Sequence, residues 1–294
     1  MLVSTEAGGL GNRIKSWVSA WRIDGDAHVY WPKTENMPAR FSDLFVNECF
    51  IEEVPAEATT HRSWRLEILP EDADELPAGF ATAGGGAHPL IRRLGKLWWK
   101  LRGEPGDRYR YMISPKRFAR STRRDGRLID FEYSRIPQYF IDAYAPLFAA
   151  ISVRPEILER VNAFAAQQFD DSVIGVQVRT WRDDARRHRR HHLPARRRLE
   201  GLLDTAGPEQ RFFVVSDDDD VVPWIAARVG QHRTLSFERE TERLSSWKTK
   251  EGMIEDLIDM QLLAHTNQLF ASYLSTFSET AWWLGGAGAR ATVF

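Results

Sequence analysis

Three places in this chain carry residue types whose spacing could act on an anion. Arg179 directly follows the apolar run SVIGVQV at 172–178. Four consecutive aspartates, 217–220, follow RFFVVS at 211–216. Ser275, Thr276 and Ser278, in the segment LSTFSE, follow a third apolar run at 269–273 and sit where side-chain oxygens cap a helix. At such a turn the free backbone N–H groups of the helix and the positive end of its dipole face outward, a setting that holds a diphosphate. Arginine supplies a planar, bidentate partner for the same group. The bland alternatives are a turn that only caps itself and an arginine that only pairs with a carboxylate.

The elements that must position these residues are legible from periodicity. Short buried runs at 172–178, 211–216 and 269–273 alternate with helical stretches, which predicts a parallel sheet whose ligands bind beyond the C-terminal strand ends. All three polar groups fall at such ends. The first half opens with an apolar run at 2–5, the Gly-rich AGGLGNR, a helix with Ile14, Trp17, Val18 and Trp21 on one face, and a strand at 28–31. The loop Gly8-Gly9-Leu10-Gly11-Asn12-Arg13 has neither the lysine of a phosphate-binding P-loop nor the third glycine of a dinucleotide fingerprint. Its glycines would still let backbone approach a ligand closely, or merely make a tight turn. Residues 79–89 read as loop, 91–103 as a basic aromatic helix, and 133–148 and 155–169 as helices bridging two halves.

Composition narrows the field. With 294 residues, 43% hydrophobic and 28% charged, the chain is long enough for two domains with their own cores. A net charge of −1 gives no global field to recruit nucleic acid or a membrane. The single cysteine, Cys49, suits a reducing compartment, and the start MLVSTEAGGLGNR lacks a signal-peptide pattern, so a cytoplasmic location is expected. The most skewed stretch, 182–198, RDDARRHRRHHLPARRR, is expected to form a partly disordered loop over a cleft. Its alternatives are attraction of an anionic substrate and nucleic-acid binding, the latter disfavoured because no aromatic residue interleaves with the arginines. Trp98 and Trp99 among the cations of 91–103 raise peripheral contact with a membrane or lipid-linked molecule, against simple packing on the core.

GGLGNRI, FSDLF at 41–45, IGVQVR at 174–179, FFVVSDD at 212–218 and LLAHTNQLFASYLSTFSE at 262–279 together resemble the GDP-fucose-dependent fucosyltransferases. The likeness is to the branch holding bacterial nodulation-factor α-1,6-fucosyltransferases, the core α-1,6-fucosyltransferase of glycoproteins and protein O-fucosyltransferases. It spans most of the chain and fades over 46–130. It implies an α/β, GT-B-like fold of two Rossmann-like domains facing a cleft, with an acceptor-side domain at 1–145 and a GDP-sugar-binding domain at 146–294. It further implies inverting transfer of fucose from GDP-fucose to a carbohydrate or peptide hydroxyl, with no metal and no cofactor beyond the donor. By the same likeness Arg179 holds the diphosphate, and Asp217 and Asp218 face the guanine or ribose. Ser275, Thr276, Phe277 and Ser278 form the anion-holding turn, and Gly9, Gly11 and Asn12 look across the cleft. Gln177 departs from the family's usual histidine and cannot carry a proton at neutral pH.

No general base is singled out. Asp183 and Asp184 lie where some relatives place an acid, and Glu6 lies beside the Gly-rich turn, where others carry a glutamate; solvated carboxylates are the alternative for each. The aspartate run also invites a metal reading, but Asp219 and Asp220 fit better as a first helical turn. The expected partners are a GDP-sugar donor and a glycan, lipid-linked glycan or peptide acceptor. Two rival readings remain open here: a transferase of the same architecture using another nucleotide sugar, and a noncatalytic GDP-sugar or glycan-binding protein.

Overall fold

The computed structural model describes residues 1–62, 66, 133, 136, 138–273 and 275–294. The loop expected at 79–89 and the helix expected at 91–103 lie outside the described residues.

Two wholly parallel sheets organise the chain. The first contains β1 (Leu2–Ser4), β2 (His28–Tyr30), β3 (Phe50–Ile51) and β4 (Thr59–His61), in the order β3-β2-β1-β4. Helix α1 (Leu10–Ile23) connects β1 to β2, and the short α2 (Phe41–Leu44) lies between β2 and β3. After helices α3 (Gln138–Ala149) and α4 (Pro155–Gln168), the second sheet is built from β5 (Val173–Val178), β6 (Arg211–Ser216), β7 (Thr234–Leu235), β8 (Gln268–Ala271) and β9 (Arg290–Val293). Its order is β7-β6-β5-β8-β9. Counted within each half, both sheets read 3-2-1-4, and the second adds a fifth strand. This is the doubly wound order, with a crevice where the winding direction reverses. In the second sheet the reversal lies between β5 and β8; in the first it lies between β1 and β4.

The expected α/β class with two Rossmann-like sheets is therefore what the chain forms, and the reason is visible in the strands. All six residues of β5 are buried, as a strand covered on both faces must be. Parity divides them. Val173, Phe213, Val215, Leu269 and Ala271 enter a core shared with α1, α3, α4 and α8 (Lys250–Ala264). Ile174, Val176, Val178, Phe212, Val214 and Phe270 enter a second core with Leu199, Leu203 and Ile225. Gly175 is required on the first face, because a Cβ there would lie 2.7 Å from Thr266 Oγ1 and 3.0 Å from Leu263 Cδ2 of the overlying helix and turn.

The first core is continuous between the two halves. Trp17 of α1 packs edge-on against Phe41 and Phe45, and Trp283 of α9 (Thr276–Leu284) stacks flat on Phe148 of α3 at 5.4 Å. Thus α1, α3 and α9 form the seam that sets one sheet against the other.

The segment 182–198 is not the partly disordered loop expected from its composition. It is a continuous helical run: α5 (Ala185–Arg187), a π-turn at His188–His192, and α6 (Leu193–Thr205). Charge density concealed its apolar stripe. Ala195, Leu199 and Leu203, spaced by four, are buried against β5 and β6, and the Asp184 carboxylate caps the start by accepting from the Arg186 and Arg187 amides.

Candidate functional site

At the C-terminal end of β5 the backbone hands over to a short connection whose bonds are made across the switch point. The Arg179 amide donates to Ser272 Oγ at 2.8 Å, tying the end of β5 to the residue after β8. The Arg179 guanidinium lies 2.9 Å from Asp217 Oδ2, beyond the neighbouring strand β6, and its side chain is 39% exposed. Asp217 Oδ1 accepts from the Thr180 amide at 2.7 Å. Both Asp217 oxygens are therefore engaged in placing the residues that follow β5.

The remaining aspartates also have partners in the protein. Asp218, buried, holds Arg182 Nη1 at 2.5 Å and accepts from the Asp220 amide. Asp220 holds the same Arg182 nitrogen at 2.7 Å, and the Asp219 carboxylate accepts from the Arg243 and Leu244 amides. Ser216, buried, donates its hydroxyl to the Val178 carbonyl and accepts from the Asp218 amide. The expected first helical turn starts one residue later than Asp220, which stands at the N-cap of α7 (Val221–Val229).

Beyond β8, Ser275 is the N-cap of α9, and its hydroxyl accepts from the Ser278 amide at 3.3 Å. Ser278 Oγ in turn donates to Gln177 Oε1 at 2.7 Å, both groups being buried. Gln177 thus fixes the turn to β5. Thr276 and Phe277, half-buried, lie in the first turn of α9, whose amide donors have no carbonyl of their own helix to use. The backbone of Arg179 and this helix mouth thus both stand at the switch point between β5 and β8.

The Gly-rich segment reaches the same place from the first half. It is less of a loop than expected: Gly9 is the N-cap of α1, and Gly11 and Asn12 already belong to its first turn. A Cβ on Gly11 would stand 2.7 Å from the Thr276 carbonyl oxygen, so only glycine lets the two helix starts lie side by side. Thr280 Oγ1 completes the contact with the Gly11 and Thr276 carbonyls at 3.2 and 2.8 Å. Asn12 Oδ1 is buried there without a hydrogen-bond partner among the described residues.

Arg13, a secondary candidate, is buried and points the other way. It donates to the carbonyls of Gly8, Pro32 and Ala7 and lies 5.0 Å over the Trp31 ring, which braces the loop from behind. Burial lowers the Arg13 pKa to about 10, opposed by the nearby Glu6 carboxylate. Glu6 itself accepts from the Gly8 amide at 2.9 Å and lines a cavity of about 400 Å³ at the C-terminal edge of the first sheet.

The two carboxylates after β5 separate. Asp184, as a helix cap, is held below the usual carboxylate range, first by the Arg187 amide, which disfavours a role as base. Asp183 is exposed. Around them Trp181 adopts a positive φ of 50°, His188 Nδ1 lies 2.8 Å from the Thr180 carbonyl, and burial lowers the basicity of His191 and His192.

Sequence reasoning missed two buried charge clusters. Lys15 of α1 and Glu279 of α9 form an ion pair at 2.5 Å, 0% and 2% exposed, behind the paired helix starts. Burial pushes the Glu279 carboxyl up, with Lys15 opposing. The second cluster joins Arg239 and Arg243 to Glu255, Asp256 and Asp259 of α8, clamping the segment after β7. Part of its signal was present as Glu255 and Asp259, at i, i+4 and each next to an apolar residue of α8.

No protein-family model and no curated protein sequence matches the chain. Among solved structures it is similar to the NodZ α-1,6-fucosyltransferase soaked with GDP-fucose, at 18% identity and a TM-score of 0.49, over 96% of this chain and 92% of that one. It is similar to a mutant of Arabidopsis thaliana FUT1 in complex with GDP, at 14% identity and 0.46, over 99% and 69%. A third likeness, to POFUT1 in complex with GDP, has 11% identity and 0.48, over 100% and 97%.

Proposed function

We propose that the chain is an inverting glycosyltransferase that moves fucose from GDP-fucose to a carbohydrate or peptide hydroxyl without a metal. One observation carries the reading: the backbone at Arg179, the Ser275-capped start of α9 and the Gly11 start of α1 meet at the reversal point of the second sheet, with the Arg179 guanidinium held next to it by Asp217. A guanidinium and two sets of helix-start amides in one crevice suit a diphosphate, and the sequence resemblance supplies guanosine and fucose. In this reading residues 146–294 carry the donor and 1–145 the acceptor.

The chemistry follows from where charge develops. The acceptor oxygen attacks the anomeric carbon from the face opposite the diphosphate, the bond to the leaving oxygen breaks, and GDP departs with added negative charge. Arg179 and the α9 amides face that charge, while Asp217 fixes the Arg179 guanidinium. The acceptor proton passes to a carboxylate, and Glu6 is favoured over Asp184 because its cavity adjoins the loop that joins the helix starts.

The test is turnover of GDP-fucose, GDP-mannose and UDP-glucose with and without EDTA, using the wild type and Arg179→Ala. GDP-fucose turnover that survives EDTA, and falls roughly 10²-fold or more in the variant, is the expected result. Preference for another donor, metal dependence, or binding without turnover would each replace the reading with one of its rivals.

A further inference from the structure

The first sheet has its own reversal point, between β1 and β4, and a cavity of about 400 Å³ stands at it. Its size is at the lower end of the range of about 300–1,000 Å³ typical of small-molecule pockets. Tyr30, Pro32 and Val54 supply apolar walls, and Glu6, Thr60 and Arg62 supply the polar groups. The two charges differ in employment. Glu6 is oriented by the Gly8 amide, whereas Arg62, exposed at the end of β4, has no ion pair or hydrogen bond among the described residues.

An unpartnered guanidinium at the rim of a walled cavity matches a carboxylate, sulfate or phosphate in bidentate fashion. Glu6 repels the same group. An occupant is thereby oriented, with its anion at Arg62 and a neutral hydroxyl toward Glu6. We infer that this cavity takes an anionic sugar unit, so that the acceptor is an acidic rather than a neutral glycan. The inference rests on the donor reading for its assignment of the occupant as acceptor.

Binding of methyl β-glucuronide, glucose 6-sulfate, glucose 6-phosphate and methyl β-glucoside to the whole chain, by ligand-observed NMR titration, tests it. GDP affinity is measured on the same samples. At least one anionic sugar should bind about tenfold or more tightly than the glucoside, as expected for hydrogen bonds to a charged group. Which one does so identifies the anion. Arg62→Ala should abolish the preference while leaving GDP affinity unchanged. Equal binding of all four sugars, or a preference that persists in Arg62→Ala, overturns the inference. Loss of GDP binding alone in the wild type would instead overturn the donor reading and leave the anionic-sugar site standing.

Discussion

At the scale of single residues, the most consequential contact is the Arg179–Asp217 pair, because it decides where the guanidinium points. Asp217→Asn retains an acceptor for the Thr180 amide but loses the charge that holds Arg179. Turnover should fall roughly tenfold, the scale of one charge-assisted hydrogen bond, with an unchanged thermal midpoint. Equal activity in the variant would show that Arg179 needs no orienting partner. The candidate site was partly legible at this scale. Arg179, Ser275 and Ser278 could be placed just beyond strands because apolar runs precede them. The partners were not: Gln177 meets Ser278 across 101 positions and Thr180 meets Asp217 across 37, and spacing carries no information at such separations. Asp217, expected from the resemblance to face the guanine or ribose, also has both oxygens in protein contacts.

At the scale of elements, the starts of α1 and α9 approach closely, and Gly11 permits it. Gly11→Ala would drive a methyl group against the Thr276 carbonyl and carbon at 2.7 and 3.0 Å, neither of which is the end of a flexible side chain. The helices must separate, so urea unfolding should show a loss of about 1–3 kcal/mol, with weakened GDP binding in the same preparation. Unchanged values for both would mean that the two helix starts are independent. Strands β1, β2, β5, β6 and β8 were legible from their apolar runs, bounded to within a residue or two; β3, β4, β7 and β9, short and with few apolar residues, were not. The helical run through 185–205 was not, because eight arginines between 182 and 198 outweighed a stripe of only three apolar residues. Asp184 in front of it was the overlooked start signal.

At the scale of the whole molecule, the two halves are joined by a buried ion pair within an aromatic seam. Removing one charge leaves the other uncompensated. Lys15→Met and Glu279→Leu should each cost about 3–5 kcal/mol in denaturant unfolding, whereas the double substitution should recover most of that loss. Additive costs would show that Lys15 and Glu279 do not act as a pair. The fold of each half could be read from its own alternation of strands and helices, but their docking could not, since it depends on two charges buried where composition favours apolar residues.

That docking also has a timetable. The contact between Thr280 and Gly11 closes a separation of 269 residues, so α1 leaves the ribosome roughly 15–50 s before the helix it lies against has been synthesised. During that interval the Lys15 ammonium awaits its partner, and the newborn first half presents its sticky side to the cell. Nascent chains of this protein are expected to need shielding until the last forty residues emerge, and truncation before α9 should yield a chain that aggregates instead of folding.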